Sequence, residues 1–259
     1  MTDIMRPILY LIFVIVFCTQ AALSKENTQY KILETVPHDS SYFTQGLELS
    51  NGLLFETAGL YGKSRVRKYH PDNDKALAEI SLPDRYFAEG LTLLSDELFV
   101  LTWKKNTLFV LNPDNLKIIR KLGYAGEGWG LANNDKELIM SNGSDVITFR
   151  NPVTFEVERK ISVYSQQHSV RRINELEYAE GFIWANIWRS PLIVKIDPNT
   201  GELVESYNMQ NLVRKHTSGN DERVLNGIAY DADKKAFWVT GKLWSKRYLV
   251  KFGQAQKTQ

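Results

Sequence analysis

Five short segments of the chain carry residues able to do chemistry, and they recur at near-regular spacing. They read Gln45-Gly46-Leu47, Glu89-Gly90-Leu91, Trp129-Gly130-Leu131, Asn174-Glu175-Leu176 and Asn226-Gly227-Ile228, at intervals of 44, 40, 45 and 52 residues. A second set follows each motif by 14 residues: Gly59, Trp103, Gly143, Trp188 and, two residues later than the rest, Lys242. The two sets together hold one carboxylate, several amides, three tryptophans and one lysine. Glu89 is the candidate proton shuttle, because desolvation among tryptophans raises a carboxyl toward a useful acid–base range. Gln45, Asn174 and Lys242 are the polar groups the repeat would bring beside Glu89. Trp103, Trp129 and Trp188 would wall an apolar cleft of small-ligand type. Singly, each has a plainer explanation: a lone Trp is core, a lone Glu is solvated, an Asn at a strand end bonds its own backbone. Equivalence of position within a repeat is what favours a site.

A period of 40–50 residues is that of propeller blades. Behind each motif comes a polar turn and a β-rich run, such as Leu98-Phe99-Val100-Leu101-Thr102 or Phe182-Ile183-Trp184-Ala185-Asn186. A third run follows, and four of the five end in a proline turn, at His70-Pro71, Asn112-Pro113, Asn151-Pro152 and Asp197-Pro198. Proline cannot donate to a ladder, so it punctuates the strands. A fourth run precedes each following motif, but the last repeat lacks one. Its substitute is at the other end of the chain, Lys31 to Val36. Pairing that strand with the last blade closes the ring and removes an open edge. The expectation is therefore an all-β, five-bladed β-propeller forming one domain over residues 25–259, closed by its N-terminal strand.

The composition, 43% hydrophobic and 24% charged over 259 residues, supports a packed core, and a net charge of +2 gives no basic footprint for nucleic acid. Arg6, the apolar run Ile8 to Phe17 and the small residues Ala21 to Ser24 have the layout of a secretory signal, with cleavage expected after Ser24 or near Ala22. The only cysteine, Cys18, falls inside that segment, so the mature domain would rely on packing without disulfides. Export to the periplasm or beyond, no membrane association after signal removal and a monomeric state are the matching expectations, with an uncleaved membrane anchor as the alternative reading of the segment. The sequon at Asn142-Gly143-Ser144 is read as a chance match.

At this point the motifs support a resemblance. From Phe43-Thr44-Gln45-Gly46-Leu47 through Phe87-Ala88-Glu89-Gly90-Leu91, Glu127-Gly128-Trp129-Gly130-Leu131 and Ile173-Asn174-Glu175-Leu176-Glu177 to Thr240-Gly241-Lys242-Leu243-Trp244, the chain resembles the plant and bacterial, papaya-type glutaminyl-peptide cyclotransferases. The resemblance implies a site without metal or other cofactor at one end of the propeller axis. It implies Glu89 as catalytic acid/base, with Gln45, Trp103, Trp129, Asn174, Trp188 and Lys242 lining the pocket and Phe43 and Phe87 as aromatic walls. Peptides or proteins with N-terminal glutamine would be the substrates, and for the ring closure this implies Gln45, Asn174 and Lys242 would be the candidate oxyanion donors, unranked among themselves. Ala88 departs from the family, where a larger apolar residue is expected, and this bears on the pocket's width.

Two other classes stay open on the residues alone. Glu89, Asn174, Asn226 and Gln45 are oxygen ligands that calcium could use in a metal-dependent propeller lactonase. Against it stand the single carboxylate and four histidines, His38, His70, His168 and His216, that lie outside both sets. A non-catalytic propeller reading peptides or sugars with its aromatics is the other. The stretch Asn208 to Arg223 reads as a mobile surface loop beside the axial cleft, placed to contact substrate residues beyond the glutamine.

Overall fold

The computed structural model describes residues 30–217 and 219–253; the expected signal segment 1–24 lies outside the described residues. In chain order, β1 (Tyr30–Pro37) precedes blade 1, formed by β2 (Thr44–Ser50), β3 (Leu53–Ala58), β4 (Arg65–Tyr69) and β5 (Ala76–Ser81). Blade 2 is β6 (Ala88–Leu94), β7 (Glu97–Thr102), β8 (Thr107–Leu111) and β9 (Ile118–Gly123). Blade 3 is β10 (Leu131–Asn133), β11 (Leu138–Met140), β12 (Val146–Arg150) and β13 (Val157–Ser162), followed by a small hairpin, β14 (Tyr164–Ser165) and β15 (His168–Ser169). Blade 4 is β16 (Ile173–Ala179), β17 (Phe182–Ile187), β18 (Leu192–Ile196) and β19 (Leu203–Asn208). After a single turn of helix, α1 (Gln210–Val213), blade 5 is β20 (Leu225–Asp231), β21 (Ala236–Gly241) and β22 (Lys246–Phe252). All five sheets are four-stranded, because β1 pairs antiparallel with β22 and completes the last one.

The inner strands are buried almost throughout, whereas the outer β5 and β9 alternate between exposed and half-buried residues. Turn chemistry sets the registers. Asn51-Gly52, Ser95-Asp96 and Glu180-Gly181 all have positive φ at both central positions, the geometry of tight hairpin turns. The corresponding turn in blade 5 is longer, from Asp231 to Ala236, which accounts for the two-residue offset of Lys242. At the proline turns the Asn112, Asn151 and Asp197 side chains accept from backbone N–H groups two residues on.

Five apolar cores fill the five blade interfaces, represented by Phe55 with Leu91, Phe99 with Leu131, Phe149 with Ile183, Trp184 with Phe237, and Leu47 with Trp238. The last of these is the seam where the ring closes, and it also carries a buried charge network. Glu56 accepts from Thr44 Oγ1 at 2.7 Å, His38 Nε2 at 2.9 Å, Tyr69 Oη at 2.8 Å and both Nε and Nη2 of Arg67 at 2.9 and 2.7 Å. His38, just past the closing strand, donates from its other ring nitrogen to Trp244 O of blade 5 at 2.7 Å. Arg247 of β22 donates to Tyr69 Oη and to the carbonyls of Pro71 and Asn73. One carboxylate thus ties the closing strand and blade 1 to blade 5.

Burial alone would push the Glu56 carboxyl up, but Arg67 and then His38 outweigh it and hold it well below the ordinary range. Its stabilisation is therefore fully present above the unfolded glutamate value, about 4.3, and is lost as pH falls through the lower folded value. Glu56→Gln takes away the fully buried partner of Arg67 and leaves it only the more exposed Asp74, at 3.0 Å, which should cost about 3 kcal/mol near neutral pH, the low end for a broken buried pair. Urea denaturation from about pH 7 down to about pH 3 should show the gap between wild type and variant closing on acidification. A gap that stays constant would contradict this role.

Candidate active site

In four blades the ladder between first and second strands breaks at the motif, with register shifts at Thr44/Gly46, Ala88/Leu91, Ile173/Leu176 and Leu225/Ile228. In blade 3 the first strand begins only after the motif, at Leu131. A bulge re-aims the side chain it carries. Here the bulges turn Gln45, Glu89 and Asn174 toward the axis. They meet the residues that follow the second strands in a cavity of about 320 Å³ at one end of the propeller.

All nine residues expected from the sequence line this cavity: Glu89, Gln45, Asn174 and Lys242 at its base, Phe43, Phe87, Trp103, Trp129 and Trp188 around its wall. Two more line it that were not expected, Leu60 and Glu222. Asn226, of the same motif set, does not reach the cavity and serves as a strut: it accepts from Asn174 Nδ2 at 2.8 Å and donates to the carbonyls of Thr44 and Gln45 at 2.9 and 3.2 Å. Asn174 is thereby left one N–H to offer the cavity. Gln45 Oε1 is buried with no hydrogen-bond partner among the described residues.

Two expectations change. Ala88 is fully buried in the core between blades 1 and 2 and is not part of the cavity lining, so its small size concerns packing behind the wall and not the pocket's width. The stretch Asn208 to Arg223 is also less loop-like than its composition suggests. It contains α1, its Met209 and Leu212 are buried against blade 5, and His216 stacks on Trp244 with ring centroids 4.3 Å apart. Its exposed end returns to the cavity mouth, where Arg189 donates to Glu222 at 2.9 Å.

The aromatic wall explains the glycines of the second set. A Cβ on Gly59 would lie 2.2 Å from the Phe87 ring, and one on Gly143 would lie 2.6 Å from the Trp129 ring. Phe87 packs edge-on to Phe43 and Trp103, and Trp129 edge-on to Trp188, at centroid distances of 6.3, 5.6 and 5.7 Å. Lys242 Nζ sits 4.6 Å from the centre of the Phe43 ring.

Such walls move the two ionisable groups in opposite directions. Burial pushes the Glu89 carboxyl well above its ordinary value, against the opposing pull of Lys242, and the charge of Glu127 adds to the rise. Burial pulls the Lys242 ammonium down to about 8, with Glu89 opposing. The site therefore holds a carboxyl that keeps its proton to higher pH than an ordinary glutamate and an amine that releases its proton more readily than an ordinary lysine.

A family model described as glutamine cyclotransferase matches residues 9–252. A curated glutaminyl-peptide cyclotransferase of Arabidopsis thaliana is 40% identical over 239 residues, spanning 90% of this chain and 74% of that protein. The chain belongs to the glutamine cyclotransferase family. The crystal structure of Myxococcus xanthus glutaminyl cyclase superposes with a TM-score of 0.83 at 33% identity, over 89% of this chain and all of that one. The WD40 β-propeller domain of Doa1, at 10% identity and TM-score 0.51, shares the fold alone; it covers 81% of this chain and 63% of its own. Membership of the cyclotransferase family displaces both the lactonase and the binding-only alternatives. Among the described residues no three His, Cys, Asp or Glu side chains are grouped as a metal ion would require.

Gly143 offers a test of the wall. It has φ +78°, and its missing Cβ makes room for Trp129. Gly143→Ala should displace that ring and lower kcat/KM on a glutaminyl dipeptide amide by at least about tenfold, with the far-UV circular dichroism unchanged. Wild-type kinetics in that variant would mean that Trp129's position is not critical.

Proposed function

We propose that the protein converts the N-terminal glutamine of peptides to pyroglutamate, with Glu89 as the proton shuttle and no metal taking part. Glu89 carries this assignment: it is the one carboxyl at the base of the cavity, buried, with its proton affinity raised. The substrate's neutral α-amine attacks the carbonyl carbon of its own side-chain amide, forming the ring C–N bond. The proton released by the attacking nitrogen passes to the Glu89 carboxylate and then to the amide nitrogen. The C–N bond to that nitrogen breaks and ammonia leaves, so Glu89 ends as it began.

Because both reacting groups belong to one residue, the cavity's main task is to fold that residue back on itself. Its volume is at the small end for ligand sites, matched to one side chain and not to an extended peptide. Lys242 and the free N–H of Asn174 are the donors for the oxyanion. Gln45 Oε1, a buried acceptor without a partner among the described residues, suits a substrate N–H, which makes it a better holder of amine or amide than an oxyanion donor. The mouth, with Glu222 and Arg189, contacts residues beyond the glutamine. Export through the N-terminal segment, action as a monomer and the absence of nucleic-acid partners belong to the same proposal.

Mass spectrometry of a Gln-initiated peptide should show loss of ammonia with the wild-type protein, equally with and without EDTA. Glu89→Gln keeps the shape and removes the acceptor, and should lower kcat by about a hundredfold or more. Substantial turnover by that variant would remove Glu89 from the mechanism, and a loss in EDTA restored by calcium or zinc would introduce a metal.

A further inference from the structure

The aromatic wall has a break that the rings themselves do not bridge. On one side Phe43, Phe87 and Trp103 form a chain of edge-on contacts, and on the other Trp129 packs against Trp188. Between Trp103 of blade 2 and Trp129 of blade 3 stands Glu127, in the loop between β9 and β10. A single oxygen of Glu127, Oε2, accepts from Trp103 Nε1 at 2.7 Å and from Trp129 Nε1 at 3.1 Å. Its other oxygen lies 3.6 Å from Lys104 Nζ, which in turn sits 3.9 Å from the centre of the Trp103 ring.

Fold stability does not require this arrangement. Both tryptophans are half-buried and the Glu127 side chain is 40% exposed, so water could satisfy either indole N–H. What a shared acceptor adds is a fixed angle between two indoles from different blades. We propose that Glu127 is a positioning residue: it joins the two halves of the tryptophan wall and sets the shape in which the substrate glutamine is folded. The proposal rests on the cyclotransferase assignment above and names a residue outside the cavity lining. Glu127 is also held as the anion this clamp needs. Burial would raise its carboxyl, but the bonds from Trp129 and Trp103 and the Lys104 ammonium outweigh that and lower it. Its charge in turn helps keep the Glu89 carboxyl high.

Two variants separate clamp from charge. Glu127→Ala removes both, and Glu127→Gln removes the charge while its amide oxygen still accepts both indole bonds. Glu127→Ala should lower kcat/KM on a glutaminyl dipeptide amide about tenfold, and Glu127→Gln should recover most of that loss. In both, the acid limb of the kcat/KM profile should move to lower pH, since the charge that raises Glu89 is gone. In ¹⁵N-labelled protein without substrate, the Nε1–H signals of Trp103 and Trp129 should shift in Glu127→Ala and hold near their wild-type positions in Glu127→Gln. Unmoved indole signals in Glu127→Ala, wild-type kcat/KM in that variant, or failure of Glu127→Gln to recover activity would each overturn the proposal. A wild-type protein that releases no ammonia would sink the cyclotransferase assignment instead, while the indole signals would still decide whether the clamp exists.

Discussion

The inner strands come so close together at the axis that side chains must be absent there, and the site depends on it. The second residue of the motif is glycine in four blades. A Cβ on Gly46 would lie 2.6 Å from Leu91 N, one on Gly90 2.4 Å from Leu131 N, and one on Gly130 2.0 Å from Asn174 O. No larger residue fits without driving the inner strands apart, and Gly90 N donates directly to Trp129 O across the blade boundary. Blade 4 has Glu175 at the equivalent position. Its carboxylate reaches the inner strands of blades 1 and 5, accepting from Leu47 N at 3.2 Å and Ile228 N at 2.9 Å. Three absent side chains, at Gly46, Gly90 and Gly130, and one bridging carboxyl therefore close the axis, and the residues one position earlier stand together above that floor.

This floor links the fold to the chemistry. It makes the end of the axis a cup, not a channel, so groups at its base lose solvent on the side that an open bore would hydrate. Desolvation is the largest cause of the shifts at both Glu89 and Lys242, and it has opposite sign for an acid and a base. The seam at Glu56 and Arg247 supports the cup from outside, since five inner strands can converge only if the ring is closed.

Legibility in the sequence followed the repeat. Five motifs at blade spacing disclosed the propeller, the swapped closing strand and the positions whose side chains converge, because equivalent positions in a propeller are neighbours in space. The family resemblance assigned the individual roles. Residues outside the repeat were not legible. Glu127 is visible beside Trp129, but only the fold brings Trp103 to the same oxygen. Glu222 sits in the lengthened connection between β19 and β20, and Leu60 lies one position past the second set, where blades 2 to 4 carry polar residues instead. The network at Glu56 draws on His38 and, through it, Trp244, which is 206 residues away from His38 in sequence. The stretch around α1 reads as loose in sequence because its polar residues outnumber the few buried anchors, Met209, Leu212 and His216, that hold it down.

A closed, aromatic-walled cup raises the proton affinity of one carboxyl, Glu89, well above its ordinary value. Carbon-13 NMR titration of the Glu89 side chain in the substrate-free protein, assigned by difference against Glu89→Gln, measures it directly. The expected midpoint lies well above the ordinary glutamate value of about 4.3 and coincides with the acid limb of kcat/KM. A midpoint at the ordinary value, or one that does not match that limb, would contradict it.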